Sequence, residues 1–377
     1  MKHRKPPGIA VALLALALLI PGILLVGGAT TAEAATTTTY GRISVSGSHF
    51  LINGAVTDQH FFGVVDTTAL QFAILAFVEG QTQYAGKTSV FNGPDTGSSA
   101  KIPQHSTASV FWNQYFGLLS HYNCNLVRIG AADIWGTGIQ YEAWTHHHTA
   151  YLNLLNTMLA AAKSHHVWVV LVLAGSQEYP TYGYGGSGSV FKPGTSAYNN
   201  YIAYAKGVMS ALEGQTALGW YDMFNEPDHN GVYAKYWSSN GGKTAFRIWA
   251  CAVAAATAKV STHPRCMGVA MVDNMFSWGK SNFDLASGTV PFEIADVHYY
   301  GSTTDSTNFI NLQQWAKADN KPLFWSELGY NKVYPLLRYK FAESAIWAAG
   351  GQAITSMVLT GTSGYPYTGG TLPFPTV

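Results

Sequence analysis

The chain has 377 residues and a formal net charge of +1 at pH 7, with 21 lysines and arginines against 20 aspartates and glutamates. This balance provides no strongly basic surface, so we expect neither nucleic acid nor an anionic membrane as a partner. Charged residues make up 11% of the chain, against roughly 25% in an average soluble domain, and apolar residues make up 47%, which is enough for a large core.

The first 34 residues have the layout of a secretory signal peptide. A basic start precedes an apolar stretch over residues 9–28, and a small-x-small pattern follows at residues 32–34. A membrane anchor is the alternative, because about twenty apolar residues also span a bilayer. A threonine-rich spacer follows at residues 35–41. Both interpretations place residues 42–377 outside the cytoplasm, and we expect a secreted protein.

From residue 42 onward, short apolar segments alternate with longer amphipathic ones. A hairpin is predicted at residues 42–56, and helices at 108–121, 149–165, 197–212, 243–260, 308–318 and 335–349. Strands are predicted at residues 60–66, 125–130, 167–175, 218–226, 267–273, 294–300, 323–328 and 354–360.

Eight strands that alternate with helices predict an α/β fold, a (β/α)8 TIM barrel with an N-terminal hairpin. A doubly wound open sheet is the alternative, but no glycine-rich dinucleotide motif follows the first strand. The segment after the last strand, residues 361–377, is rich in glycine and proline, so the eighth helix is expected to be atypical or missing.

The cysteines are Cys124, Cys251 and Cys266, an odd number that does not describe a disulfide scaffold. They are either three buried thiols or one Cys251–Cys266 pair with Cys124 free. No Cys-x-x-Cys spacing occurs, so a structural zinc site is not predicted.

Two predicted strands end in a glutamate. One runs into Asn225-Glu226-Pro227, and the other ends at Glu327. Because proline disfavours helical geometry at the residue before it, we expect Glu226 to be extended and its strand to end there. Barrel enzymes carry their chemistry at the carboxyl ends of the strands. Strands four and seven face each other there, and two carboxylates about 5–5.5 Å apart cleave a glycosidic bond with retention.

These motifs resemble those of glycoside hydrolase clan A, most closely the cellulase-type family 5. The resemblance implies that Glu226 is the acid/base and that Glu327 is the nucleophile. Arg128, in the second strand, matches the family's arginine and would keep Glu327 ionised. Asn225 would bind the sugar 2-hydroxyl.

The sequence His298-Tyr299-Tyr300 matches the family's strand-six motif. By this resemblance, His298 would line the site and Tyr300 would donate a hydrogen bond to the nucleophile. Three features depart from the family pattern: the third strand does not end in histidine, the eighth has no tryptophan, and the eighth helix is missing. Trp135 and Trp278 follow the second and fifth strands, where each is either a platform for a sugar ring or part of ordinary loop packing.

The resulting expectation is an O-glycosyl hydrolase, an endo-β-1,4-glucanase, that acts on β-glucan or a related neutral polysaccharide. A β-mannanase or another clan A β-glycosidase is the alternative within enzymes, and a non-catalytic glycan-binding protein is the alternative of another class. We expect a monomer that needs no metal and no cofactor. Replacing Arg128 by alanine is expected to lower kcat and leave the fold intact.

Overall fold

The computed structural model describes residues 40–66, 69–81, 107–121, 123–130, 138–175, 184–229, 234–269, 291–299, 306–328 and 350–356. An antiparallel sheet comes first, with strands β1 (Ile43–Ser46), β2 (His49–Ile52) and β3 (Ala55–Val56). Eight further strands form one sheet: β4 (Phe61–Asp66), β5 (Leu126–Gly130), β6 (Trp168–Val172), β7 (Leu218–Asp222), β8 (Arg265–Cys266), β9 (Ala295–Tyr299), β10 (Leu323–Leu328) and β11 (Ala353–Ser356).

The eight strands close into a parallel barrel. Neighbours in the sheet follow the chain order, and β11 pairs in parallel with β4. The remaining gap, between β8 and β9, is bridged by hydrogen bonds from Ile294 N to Arg265 O at 3.1 Å and from His298 N to Val269 O at 2.8 Å. Strands one to eight of the predicted (β/α)8 barrel are therefore β4 to β11, and the predicted fold class is confirmed.

Helices cover the outside of the barrel. They are α1 (Ala69–Ala73), which continues as a π-helix over Ile74–Val78, α2 (Ala108–His121), α3 (Ile139–His146), α4 (His148–Ser164), α5 (Ser196–Ala211), α6 (Gly242–Thr257) and α7 (Ser306–Ala318). Among the described residues, no helix is both long enough and apolar enough to cross a membrane.

The predicted hairpin closes the amino-terminal end of the barrel. Its inward side chains pack on the first inward layer of the barrel strands, and the ring centroids of Phe50 and Trp220 lie 5.3 Å apart. The indole of Trp168 donates a hydrogen bond to Gly41 O at 2.8 Å. We call this cluster the barrel floor: Ile43, Phe50, Ile52, Phe61, Leu126, Trp168, Val170, Trp220, Cys266, Ile294, Phe324 and Ala353. Because this apolar layer closes one end, the polar chemistry is confined to the other.

Several boundaries differ from the sequence prediction. The predicted helix 149–165 is the second of two helices, since α3 ends at His146 and α4 begins at His148. Regular pairing in β7 ends at Asp222, four residues before the predicted end. The predicted helix at 335–349 and the segment that would hold an eighth helix lie outside the described residues, as do residues 1–39 with the predicted leader.

The three cysteines are free and buried. Cys266 points into the barrel floor, whereas Cys251 lies on α6 in the outer helical layer. The two thiols thus belong to different layers, and the possible Cys251–Cys266 disulfide is wrong.

Candidate active site

The predicted catalytic residues meet at the carboxyl end of the barrel. Glu226 follows β7 and is 4% exposed, while Glu327 lies in β10 and is 3% exposed. Oxygen atoms of the two carboxyl groups and a ring nitrogen of His298 all lie within 4.8 Å of one another. The barrel thus brings two buried acids from facing strands to one place.

Glu226 does not have the extended backbone that Pro227 was expected to impose. Its φ angle is +48°, in the left-handed region that costs a non-glycine residue on the order of 1 kcal/mol. Two backbone hydrogen bonds hold the position: Glu226 N donates to Gly268 O at 3.0 Å, and His229 N donates to Glu226 O at 3.1 Å. The turn over residues 226–229 therefore holds Glu226 in an unfavourable backbone conformation, and such strained residues are typical of active sites.

A β-bulge turns Glu327 into the barrel. Phe324 points into the barrel floor and Trp325 into the outer core, so regular alternation would send residue 327 outward. The register of β10 against β9 shifts between Trp325 and Glu327, and Leu328 then faces the outer core. The extra residue, Ser326, inverts the alternation and places the carboxylate of Glu327 in the site.

Arg128 joins the acids into one network. Its guanidinium donates to Glu327 Oε1 at 2.6 Å, to Asn225 Oδ1 at 2.6 Å and twice to Asp222 Oδ2, at 2.6 and 3.1 Å. Burial alone would lower the pKa of Arg128, but the charges of Asp222 and Glu327 outweigh burial and raise it further above its usual value. The arginine is therefore a permanent cation that fixes Glu327 and Asn225 relative to each other.

His298 lies between the two glutamates. Its Nδ1 is 2.7 Å from Glu226 Oε1 and 3.4 Å from Glu327 Oε2. Burial would lower the pKa of His298, yet the charge of Glu327 and the hydrogen bond and charge of Glu226 raise it to about 9. One proton is thus held between the imidazole of His298 and the carboxyl group of Glu226.

Gly268 provides the space for this histidine. A methyl group at position 268 would lie 2.6 Å from His298 Nε2 and 3.2 Å from Asp222 Oδ2. Gly268 also binds its neighbours through its backbone, because its N–H donates to Asp222 Oδ1 at 3.2 Å and its carbonyl accepts from Glu226 N. The absence of a side chain at this position lets the imidazole reach Glu226.

We expect Gly268→Ala to lower kcat/KM by about 10- to 100-fold, because the displaced imidazole can no longer bond to Glu226. A steady-state assay together with the NMR titration of His298 would measure both effects. Gly219→Ala is the matched control: its methyl group would meet its nearest neighbour, Val169 O, at 3.5 Å. Equal losses in the two variants would contradict the role of Gly268.

Two sets of described side chains have the composition of a transition-metal site. They are Glu226, His298 and Glu327, and one layer deeper Asp222, Cys266 and Asp296, and within each set the ligand atoms lie within 4.8 Å of one another. In each set one carboxylate is already bonded to the guanidinium of Arg128. The arginine therefore supplies charge compensation that a metal would otherwise provide.

The structure brings together Arg128, Asn225, Glu226, His298 and Glu327, whereas Tyr300, Trp135 and Trp278 lie outside the described residues. The sequence interpretation missed Asp222, Gly268 and Asp296. Period-two alternation could have found the two aspartates, since Asp222 shares a face with Trp220 and Asp296 shares one with His298.

No protein-family model matches the sequence, and no curated protein matches it. Solved structures are similar in fold. The endo-1,4-β-mannanase from Rhizomucor miehei gives a TM-score of 0.56 at 15% identity and covers 84% of this chain and 90% of its own. The β-glucanase from Saccharophagus degradans gives 0.52 at 13% identity, with 87% of each chain covered.

The β-1,4-D-mannanase from Cryptopygus antarcticus gives a TM-score of 0.51 at 17% identity and covers 84% of this chain and 89% of its own. Coverage this extensive means that the likeness includes the whole barrel. At these identities it establishes the (β/α)8 fold alone, because one fold supports many different chemistries.

Proposed function

We propose that the protein is a retaining endo-β-glycosidase that cleaves β-1,4-linked polysaccharide. The observation that carries this proposal is the pair of buried carboxyl groups, Glu226 and Glu327, with oxygens within 4.8 Å of each other. Retaining enzymes place the two groups about 5–5.5 Å apart, whereas inverting enzymes need roughly 6.5–9.5 Å to admit a water molecule.

In the proposed reaction, Glu327 attacks the anomeric carbon while Glu226 protonates the leaving oxygen. Arg128 keeps Glu327 anionic and oriented toward the anomeric carbon. The proton that Glu226 delivers is the one that it shares with His298. Once Glu327 is glycosylated, Glu226 accepts a proton from water as the water oxygen attacks the same carbon, and the bond from that carbon to Glu327 breaks, which restores the carboxylate. No additional group is needed to balance charge at either step.

Asn225 has a defined part in sugar binding under this proposal. Its Oδ1 accepts from the cationic Arg128, which identifies that atom as oxygen and leaves the amide NH2 as the donor. We assign this donor to the 2-hydroxyl of the sugar at the cleavage point. A hydrogen bond there strengthens as charge develops on the ring in the transition state.

The preferred glycan within this class is β-1,4-glucan, with β-1,4-mannan as the second candidate. Similar folds occur in a β-glucanase and in two β-mannanases, and the described acids suit both sugars. Assays on carboxymethyl-cellulose, mannan, xylan and mixed-linkage glucan would identify the substrate. Binding without release of reducing ends on every glycan would instead support the non-catalytic glycan-binding protein.

Export of the barrel is part of the proposal. The predicted leader at residues 1–34 and the low charge content support it. A polymer too large to enter a cell has to be cut outside, so the proposed substrate and the proposed location agree.

We expect the first product from a β-linked oligosaccharide to be the β-anomer, because two displacements at one carbon restore its configuration. Proton NMR of the anomeric signals during the first minutes, before mutarotation, provides the measurement. Initial release of the α-anomer would exclude the double displacement and the assignment of Glu327 as nucleophile.

A further inference from the structure

Asp296 is a buried carboxyl group that the proposed reaction does not use. It lies in β9, two residues before His298 and on the same inward face, and it is 3% exposed. Among the described residues, neither of its oxygens has a hydrogen-bond partner in good geometry. Burying a carboxyl group without a well-aligned hydrogen bond is unfavourable. Because Asp296 lies beneath Glu226 and His298, its charge affects both of them.

Four other strands of the barrel present a polar group to Asp296. A carboxyl oxygen of Asp296 lies within 4.8 Å of an oxygen of Asp222 and of the sulfur of Cys266. Its other interacting neighbours are Arg128 on β5, Ser326 on β10 and His298 on its own strand, while Glu327 lies beyond His298 and Arg128. Asp296 thus faces the anionic, thiol, hydroxyl and cationic groups of one connected cluster.

The charge state of Asp296 follows from this environment. Burial and the negative charge of Asp222 raise the pKa of Asp296 to about 6, against the opposing effect of His298 and Arg128. The carboxyl group is therefore neutral in acid and anionic at neutral pH. Its charge changes in the range where a glycosidase that works near neutral pH has to retain its catalytic proton.

We propose that Asp296 is a positioning residue that, as an anion, keeps the catalytic proton on the Glu226–His298 pair. This inference rests on the proposed function. A negative charge below the pair makes loss of the shared proton less favourable, whether that proton is on the imidazole of His298 or on the carboxyl group of Glu226. Asp296 thereby extends acid catalysis by Glu226 toward alkaline pH without contacting the substrate.

The pH profile of kcat/KM for Asp296→Asn tests this inference on whichever β-glycan the wild-type protein cleaves. We expect the basic limb to move to lower pH by roughly 0.5–1 unit, so that activity at a pH well above the wild-type limb falls about 3- to 10-fold relative to the wild type. The acidic limb stays in place because both side chains are neutral there. An unchanged profile, an equal shift of both limbs or a uniform loss at every pH would overturn the proposal.

The matched control is Asp319→Asn, the same chemical change at a carboxyl group that is 7% exposed and lies at the end of α7, outside the barrel. This variant should keep both limbs of the profile. If Asp296→Asn does not fold, Asp296→Ser removes the charge with a smaller side chain and is measured in the same way.

Two measurements do not depend on activity. In an NMR titration, the imidazole of His298 should lose its proton at lower pH in Asp296→Asn than in the wild type. Because the pKa of Asp296 is raised on folding, its stabilising effect is full in acid and is lost as the pH rises through about 6. The melting temperature of Asp296→Asn should therefore rise relative to that of the wild type as the pH increases from about 4 to about 6.

These readouts separate the two proposals. A wild-type protein that cleaves no glycan but shows both shifts would contradict the proposed function and keep the electrostatic role of Asp296. An active wild-type protein whose His298 titration is the same in the variant would contradict the role of Asp296 alone.

Discussion

Glu327→Ala should reduce hydrolysis of every substrate below detection, whereas Glu226→Ala should still cleave aryl glycosides that have a good leaving group. The reason is the division of labour between the two acids. Without Glu327 no glycosyl-enzyme can form, but a phenolate of low basicity leaves without the proton that Glu226 supplies. On unactivated glycans, loss of the acid should cost about 10²- to 10⁴-fold.

Added azide distinguishes the roles of the two glutamates, because this small anion can occupy the space left by either carboxylate. In Glu226→Ala, azide attacks the glycosyl-enzyme on Glu327, and the product is the β-glycosyl azide. In Glu327→Ala, azide attacks the substrate directly, so any product is the α-glycosyl azide. NMR identifies the two products, and the opposite assignment would contradict the proposed roles.

The control for both glutamate variants is Glu142→Ala. The carboxylate of Glu142 is 46% exposed and pairs with the exposed His146 on α3. Exposed pairs of this kind are worth about 0–1 kcal/mol. Full activity in this variant would show that the losses belong to the site.

Arg128→Ala should lose both activity and stability. Two buried carboxylates, Asp222 and Glu327, would be left without their cation, and removing one partner from a buried pair costs about 3–5 kcal/mol. The guanidinium is 1% exposed and donates to both carboxylates, so we now expect a loss of stability where the sequence alone predicted an intact fold. We expect kcat to fall by about two orders of magnitude or more.

The pH dependence of unfolding checks the cause of this instability. Protonation relieves an unpaired buried carboxylate, so the melting temperature of Arg128→Ala should recover relative to the wild type as the pH falls from 7 to 5. Arg128→Lys keeps a charge but cannot reach three acceptors in a planar fork. It should recover part of the stability and little of the activity.

A second buried arginine provides the control. Arg265 is 6% exposed and donates to Glu293, to Thr257 and to the carbonyl of Ala254. Arg265→Ala should be destabilised and yet keep its activity when assayed well below its melting temperature. If it loses activity as Arg128→Ala does, instability alone explains both losses.

The barrel was predictable because its strands are buried on both faces. The five residues of β6, Trp168–Val172, are apolar and fully or nearly fully buried, as expected of a parallel strand beneath helices. The order of strands along the chain then placed residues 226 and 327 on facing sides of one barrel end. Arg128, Asn225 and His298 were found through the family resemblance, and the structure places them around the two acids.

Local backbone geometry could not be predicted in the same way. Neither the bulge at Ser326 nor the positive φ of Glu226 has a signal in the sequence, since both depend on hydrogen bonds to neighbouring strands. The sequence also gives no indication of the role of Gly268, because that role depends on an imidazole that approaches from β9. Tertiary contacts determine these features, whereas the apolar pattern determines the barrel.

The pairing of β4 with β11 has a consequence for how the chain folds. Phe61 pairs with Ala353 and Val64 with Ser356, so the first and last strands of the barrel are neighbours. Until residues near 356 have emerged during synthesis, the outer edge of β4 has no partner and is open to pairing with another chain. Contacts between such distant residues also slow folding. A barrel closed in this way would benefit from a chaperone until its last strand is in place.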